Sequence, residues 1–133
     1  MKKEDVLELI RQNGIGHQYL RCFLTSENDD SDRNHMSAVN HYKYHDHYNG
    51  HDSVLKIELS MFDLQQHEKI LPEFPQCYFL IKKEEAGGKK IDVLLFCKFI
   101  EIKNGDIFVK ILKVEFPNEN NQRTKIKIYE LAN

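Results

Sequence analysis

Thirteen residues, NHYKYHDHYNGHD at 40–52, hold four histidines, three tyrosines and two aspartates. Neutral imidazole is a ligand for Zn²⁺ or another divalent transition metal. It is also the side chain that exchanges protons near neutrality without tuning. His41-x3-His45 has the spacing of one helix face, and His45-x-His47 that of one strand face. His47-x3-His51 repeats the helical spacing. Asp46 or Asp52 would complete a ligand set or orient an imidazole. No single regular conformation satisfies both spacings, so His41, His45, His47 and His51 form a metal candidate only if the segment is irregular. Tyr42, Tyr44 and Tyr48, with His45, Asp46, His47 and His51, read equally well as contact residues. Such side chains join apolar area to hydrogen-bonding tips and few rotatable bonds.

Two other patterns compete. Asp92, Glu101 and Lys103 imitate an Asp…Glu-x-Lys nuclease arrangement around Mg²⁺. The intervening VLLFCKFI contains no turn, so about 3.3 Å per residue of strand separates Asp92 from the other two. In SDRNHMSA, Asp32, Arg33 and His35 resemble the Asp-Arg-Gly-His signature of non-specific metal-dependent endonucleases. Asn34 stands where that family has glycine, and its domain is much larger than this chain, so no role is carried over.

The elements that must position these residues are uneven in clarity. Val6, Leu7 and Ile10 share a face of an N-terminal helix that Gly14 would stop. HQYLRCFL alternates as a strand. Residues from about 25 to 53 read as a polar, histidine-rich loop within a single domain of 133 residues. VLKIELSM places Leu55, Ile57, Leu59 and Met61 on one strand face. DLQQHEKI suits a short helix that Pro72 and Pro75 end. Gly87-Gly88 and Asn104-Gly105 are hairpin signals, because primed turns need positive φ, and they define a three-stranded antiparallel meander. A two-residue Gly-Gly turn pairs Lys83 with Asp92 and residue 78 with 97. Cys77 and Cys97 would then lie on opposite faces. In the next hairpin Ile100 meets Val109 and Cys97 meets Leu112. The apolar face changes side along that hairpin, as a strongly twisted or bulged pair would. TKIKIYEL adds a last strand. The expected class is α+β, an N-terminal helix on a strongly twisted, mainly antiparallel sheet, part-closed into a barrel or covered by the helix.

The formal net charge is −2, which argues against a partner that is chiefly a phosphate backbone. Three cysteines, with no C-x-x-C pair and one thiol left over, suit a reducing, cytoplasmic setting. No apolar run approaches the roughly 20 residues that span a bilayer, and the first residues lack the pattern of a signal peptide. There is no phosphate loop, nucleotide fingerprint or closed metal motif. These observations favour a small non-enzymatic interaction module, an inhibitor or immunity-type protein that binds a partner protein and needs no cofactor. The alternative is a histidine- or metal-dependent hydrolase, a small nuclease or ribonuclease acting on nucleic acid. Its helix-plus-meander layout is similar to that of small bacterial ribonuclease toxins. Lysines converging beside the histidines would favour that alternative.

Overall fold

A computed structural model describes residues 3–12, 14–22, 35–84, 88, 90–117 and 127–130. Helix α1 (Lys3–Arg11) precedes strands β1 (Ile15–Cys22), β2 (His35–Tyr48) and β3 (His51–Leu59). Helix α2 (Met61–Ile70) follows, then β4 (Gln76–Glu84), β5 (Lys90–Lys103), β6 (Asp106–Phe116) and β7 (Lys127–Glu130). All pairings are antiparallel. The order β3-β2-β1-β4-β5-β6 closes on itself because β3 also pairs with β6, and β7 adds to β6. The protein is thus mostly β, a six-stranded closed antiparallel barrel with two short helices. The expected helix-on-sheet arrangement is compatible with it at a coarser level.

Closure places Leu20, Phe79, Leu95, Ile57, Ile107 and Val109 among the fully buried residues of one core. α1 inserts Val6 and Ile10 into this core and is tied to the barrel at its last residues. The Tyr42 hydroxyl and Lys83 Nζ both donate to the Gln12 carbonyl, at 2.7 and 2.9 Å. α2 begins at Ser60, whose Oγ accepts from the Asp63 backbone N–H, the usual way to satisfy an orphan donor of the first turn. It contributes Leu64, and Leu71 follows it into the core. Met61, expected on the β3 face, is instead an exposed residue of α2.

The largest departure from the sequence reading is the segment 25–53. Its first part, including the endonuclease-like Asp32 and Arg33, lies outside the described residues. From His35 onward there is no loop. β2 and β3 form a long hairpin joined at Asn49 (φ 48°) and Gly50 (φ +80°), the same Asn-Gly chemistry that joins β5 to β6 at Asn104 and Gly105. The hairpin escapes a periodicity search because Asn40 is a bulge. Val39 pairs with Leu59 but His41 with Glu58, so two steps on β2 match one on β3. Inward residues are therefore Ser37 and Val39 before Asn40, and Tyr42 after it. One extra residue flips the parity.

Two registers are corrected in the meander. Lys82 pairs with Asp92, and Cys77 pairs directly with Cys97. Five residues, not two, separate Glu84 from its partner Lys90, so every pair moves by one position. Cys77 and Cys97 consequently share the inward face, free and buried. In the β5–β6 hairpin, Phe99 pairs with Val109 and Glu101 with Phe108, which makes Ile100 a bulge. Cys97 pairs with Ile111 and Phe96 with Lys113, which makes Leu112 a second one. The change of apolar face read from the sequence thus has its cause in two compensating bulges.

Gly14 does more than stop a helix. A Cβ there would lie 2.4 Å from both Gln18 Nε2 and Tyr42 Cε1, closer than any real carbon tolerates. Gly14→Ala should destabilise the fold by about 1–3 kcal/mol through overpacking. Urea unfolding checks this, and an unchanged midpoint would remove the argument that α1 is seated by this close approach.

Candidate functional site

The histidine segment does not gather. On β2, His41, Lys43, His45 and His47 succeed one another at alternate positions, spread along the outer face. Among the described residues no three His, Cys, Asp or Glu side chains are grouped as a metal ion would need. The four-histidine metal set is therefore corrected, since strand geometry separates His41 from His47 by about 20 Å at 3.3 Å per residue. Tyr42 is also corrected as a contact residue. It is fully buried, in edge-to-face contact with Phe79 at 5.1 Å between centroids, and burial pushes its hydroxyl pKa up. Tyr44 packs half-buried against the core and donates to Ser53 Oγ at 3.2 Å.

The remaining candidates meet at the hairpin tip. Arg11 donates to Asp46 at 3.0 Å, and this bond, ahead of all other causes, holds the Asp46 carboxyl below its ordinary value. His47 Nδ1 lies 2.6 Å from Asp52 Oδ1 across the strand pair. Tyr48 stacks on Phe108 of β6, with centroids 4.1 Å apart and planes 8° from parallel. Its hydroxyl donates to Glu101 of β5, and Asn49 Nδ2 donates to the same carboxylate at 3.3 Å. That hydrogen bond, aided by burial and the carboxylate charge, pushes Tyr48 up to about 12. The tip is thereby pinned over the outer face of β5 and β6.

Beneath the pinned tip lies an open cleft of about 640 Å³. Gly50, His51 and Asp52 form one wall, and Lys98, Phe99, Ile100, Lys110 and Leu112 form the rest. The sequence reading missed this second half entirely. Its residues lie some fifty positions from the histidines, and only the β3–β6 pairing joins them. The lysines do converge beside a histidine: Lys98 and Lys110 are direct cross-strand partners, and both share the cleft with His51. A usable signal was present in Asn49-Gly50, which reads as a hairpin turn flanked by Tyr48 and His51.

A second cluster is buried. Cys22 pairs with Cys77, and Cys77 with Cys97, in one row across β1, β4 and β5. His67 of α2 bridges Cys22 Sγ at 3.1 Å and Ser37 Oγ at 2.9 Å. Burial raises the Cys22 thiol, and the neighbouring Cys77 adds to the effect. Cys77 is also raised, by its bond to Cys97 and then by burial. Thiols held protonated in this way are poor nucleophiles, so the row is core rather than a reactive centre.

Comparison with known protein families, with characterised proteins and with solved structures finds no match to this chain.

The His45 imidazole is held below its usual 6.5, by burial first and then by Lys43 and Lys56. Its Nε2 is buried, and among the described residues it has no hydrogen-bond partner. The unfolded chain therefore takes up this proton at higher pH than the folded one, and stability must fall as pH drops below 6.5. His45→Gln should remove that part of the dependence. Its thermal midpoint should be close to that of the wild type near pH 8 and relatively higher near pH 5.5. A difference that stays constant across the range would show that His45 carries no linkage.

Proposed function

We propose that this protein is a small non-enzymatic interaction module whose recognition surface is the tip of the β2–β3 hairpin and the adjoining outer face of β5 and β6. The observation that carries this reading is the anchoring of Tyr48, by its stack on Phe108 and its hydrogen bond to Glu101. A turn at the end of a two-stranded ribbon would otherwise fray. Fixed in advance, it presents His47 and His51 with little ordering entropy left to lose on binding. The seven contact candidates reduce on this reading to Tyr44, His45, Asp46, His47, Tyr48 and His51, and the partner is a protein. Three free buried cysteines support a reducing compartment such as the cytoplasm, and no helix among the described residues is long and apolar enough to cross a membrane.

A photocrosslinking residue placed at His47 or His51 in living cells should give one discrete protein adduct, while the same residue at the exposed Glu68 of α2 should give none. Tyr48→Ala should cut the adduct yield, with partner affinity falling about tenfold or more if the stack is a hot-spot anchor. Identical adduct patterns at all three positions, or a yield indifferent to Tyr48, would sink the proposal.

One observation favours the hydrolase alternative. The His47–Asp52 pair has the geometry of a base with its orienting carboxylate, and Asp52 borders a cleft that carries Lys98 and Lys110. In that reading His47 takes the proton and the lysines hold a phosphodiester, with no metal required. Among the described residues no serine, threonine or cysteine lines the cleft, so in this reading the attacking group is water or a ribose 2′-hydroxyl. Turnover of a short fluorogenic RNA, abolished by both His47→Ala and Asp52→Asn in folded protein, would favour it over the binding module. Absence of turnover, with and without added Zn²⁺, would remove it.

A further inference from the structure

We propose that the cleft beneath the β2–β3 tip is a binding site for a phosphate monoester carried on a flat apolar group. The proposal rests on reading this face as the recognition surface, and it names the chemistry that the surface takes. Lys98 and Lys110 face each other directly across β5 and β6. Like charges in that position cost stability. Among the described residues neither ammonium has a carboxylate within ion-pair reach. Lys110 Nζ is held instead by the Asp52 backbone carbonyl at 3.3 Å, and the Asp52 carboxylate is occupied by His47 at 2.6 Å. Among the described residues the sheet thus keeps two positive charges side by side in a concavity, with no carboxylate paired to either.

The bulges give this arrangement its shape. One lies on each side of the lysine pair, at Ile100 of β5 and at Leu112 of β6. Their register shifts cancel, so they change nothing at the ends of the hairpin. Their local effect is to turn apolar side chains out of the core and into the cleft. Leu112 is 40% exposed, and Ile100 is half-buried beside it. Bulges of this kind commonly re-aim side chains at binding sites. The result is a cationic pair flanked by Phe99, Ile100 and Leu112, with His51 on the rim.

Two ammonium groups match a dianion, whereas a carboxylate would leave one of them uncompensated. Lysine suits phosphate as a compact point charge. The apolar wall calls for a ring attached to the phosphate. An extended polyanion fits less well, because Asp52 borders the cleft and Glu101 lies beyond it on β5. The same chemistry has two sources, a phosphorylated tyrosine on a partner and a free mononucleotide.

The test is calorimetric titration of the full chain with phenyl phosphate, a phosphotyrosine peptide, adenosine monophosphate and inorganic phosphate. At least one organic phosphate should bind, with inorganic phosphate about tenfold weaker or worse, because it forgoes the apolar wall. Preference for the phosphotyrosine peptide identifies a partner-borne group, and preference for the nucleotide a free ligand. Lys98→Gln combined with Lys110→Gln should lose binding by about tenfold or more. The double variant should melt at the wild-type temperature or above it, since the like-charge pair is gone. Leu112→Ser should weaken the organic phosphates and leave inorganic phosphate unchanged. The proposal is overturned if no organic phosphate binds the folded wild type at millimolar concentration, if the double variant binds as well, or if inorganic phosphate binds equally. Retained crosslinking at His47 or His51 alongside those failures would overturn the ligand assignment alone. Loss of both would overturn the recognition surface as well.

Discussion

The pairing of β3 with β6, from Val54–Lys110 to Glu58–Asp106, is the constraint on which the rest of the molecule depends. Without it the chain would be an open sheet in which β3 and the first part of β6, Asp106 to Lys110, expose unpaired backbone groups. With it the sheet closes, the inward faces of six strands meet as one core, and α1 and α2 have a surface on which to dock. Closure also creates the face proposed for recognition. Residues of β3 come beside residues of β6, and the hairpin tip that precedes β3 is carried over β5 and β6. The stack of Tyr48 on Phe108 and the cleft between His51 and Lys110 are consequences of this one run of pairs.

Local signals in the sequence were read correctly where they were local in fact. α1, α2, the β5–β6 turn at Asn104-Gly105 and the β7 strand each follow from periodicity, capping or turn chemistry within a few residues. Register was legible next to the turn, where Lys103 with Asp106 and Ile102 with Ile107 pair as the turn demands. Between the Ile100 and Leu112 bulges the expected pairs are displaced by one, and beyond Leu112 the register that the turn demands returns, with Leu95 paired to Val114. The loop after Glu84 was longer than a two-residue turn, and that moved Cys77 opposite Cys97. Bulges are hard to read because a single extra residue carries no composition of its own. It shows only as a change of parity, which in the histidine segment looked like absence of pattern. Asn40 is the case in point. It turned a strand with Ser37 and Val39 inward, and then Tyr42 inward, into an apparent loop.

The site was legible by half. The histidines and tyrosines announced themselves by density, and the sequence offered a contact role and a chemical role for them. Strand geometry spreads alternate residues of this segment along a face rather than gathering them. Tyr42 was misassigned because a tyrosine within a polar run looks exposed, although its ring fills the core and only its hydroxyl needs a partner, found in the Gln12 carbonyl. Lys98 and Lys110 carried no signal, because each reads as an ordinary residue of an amphipathic strand, and the change of apolar face caused by Ile100 and Leu112 marked a twist or bulge but not a cleft. Their significance is relational and exists only once β3 and β6 are joined.

The two Asn-Gly turns show how one local device serves opposite ends. At Asn104-Gly105 the turn is exposed but lies against α2, with Leu64 Cδ2 3.9 Å from where a Cβ on Gly105 would stand. At Asn49-Gly50 nothing lies within 4 Å of the equivalent point, so the turn stands clear as a wall of the cleft. A free-standing turn on a two-stranded ribbon is ordinarily among the least stable parts of a protein. Here an aromatic stack and a shared carboxylate, Glu101, hold it from the side, using residues of strands that the tip does not pair with. Stability of the barrel needs neither Tyr48 nor Asn49 in that position, since closure is already complete at Val54. Their interactions order the wall of the cleft above two like-charged lysines that, among the described residues, pair with no carboxylate, an arrangement that folding alone does not require and that an anionic ligand would relieve.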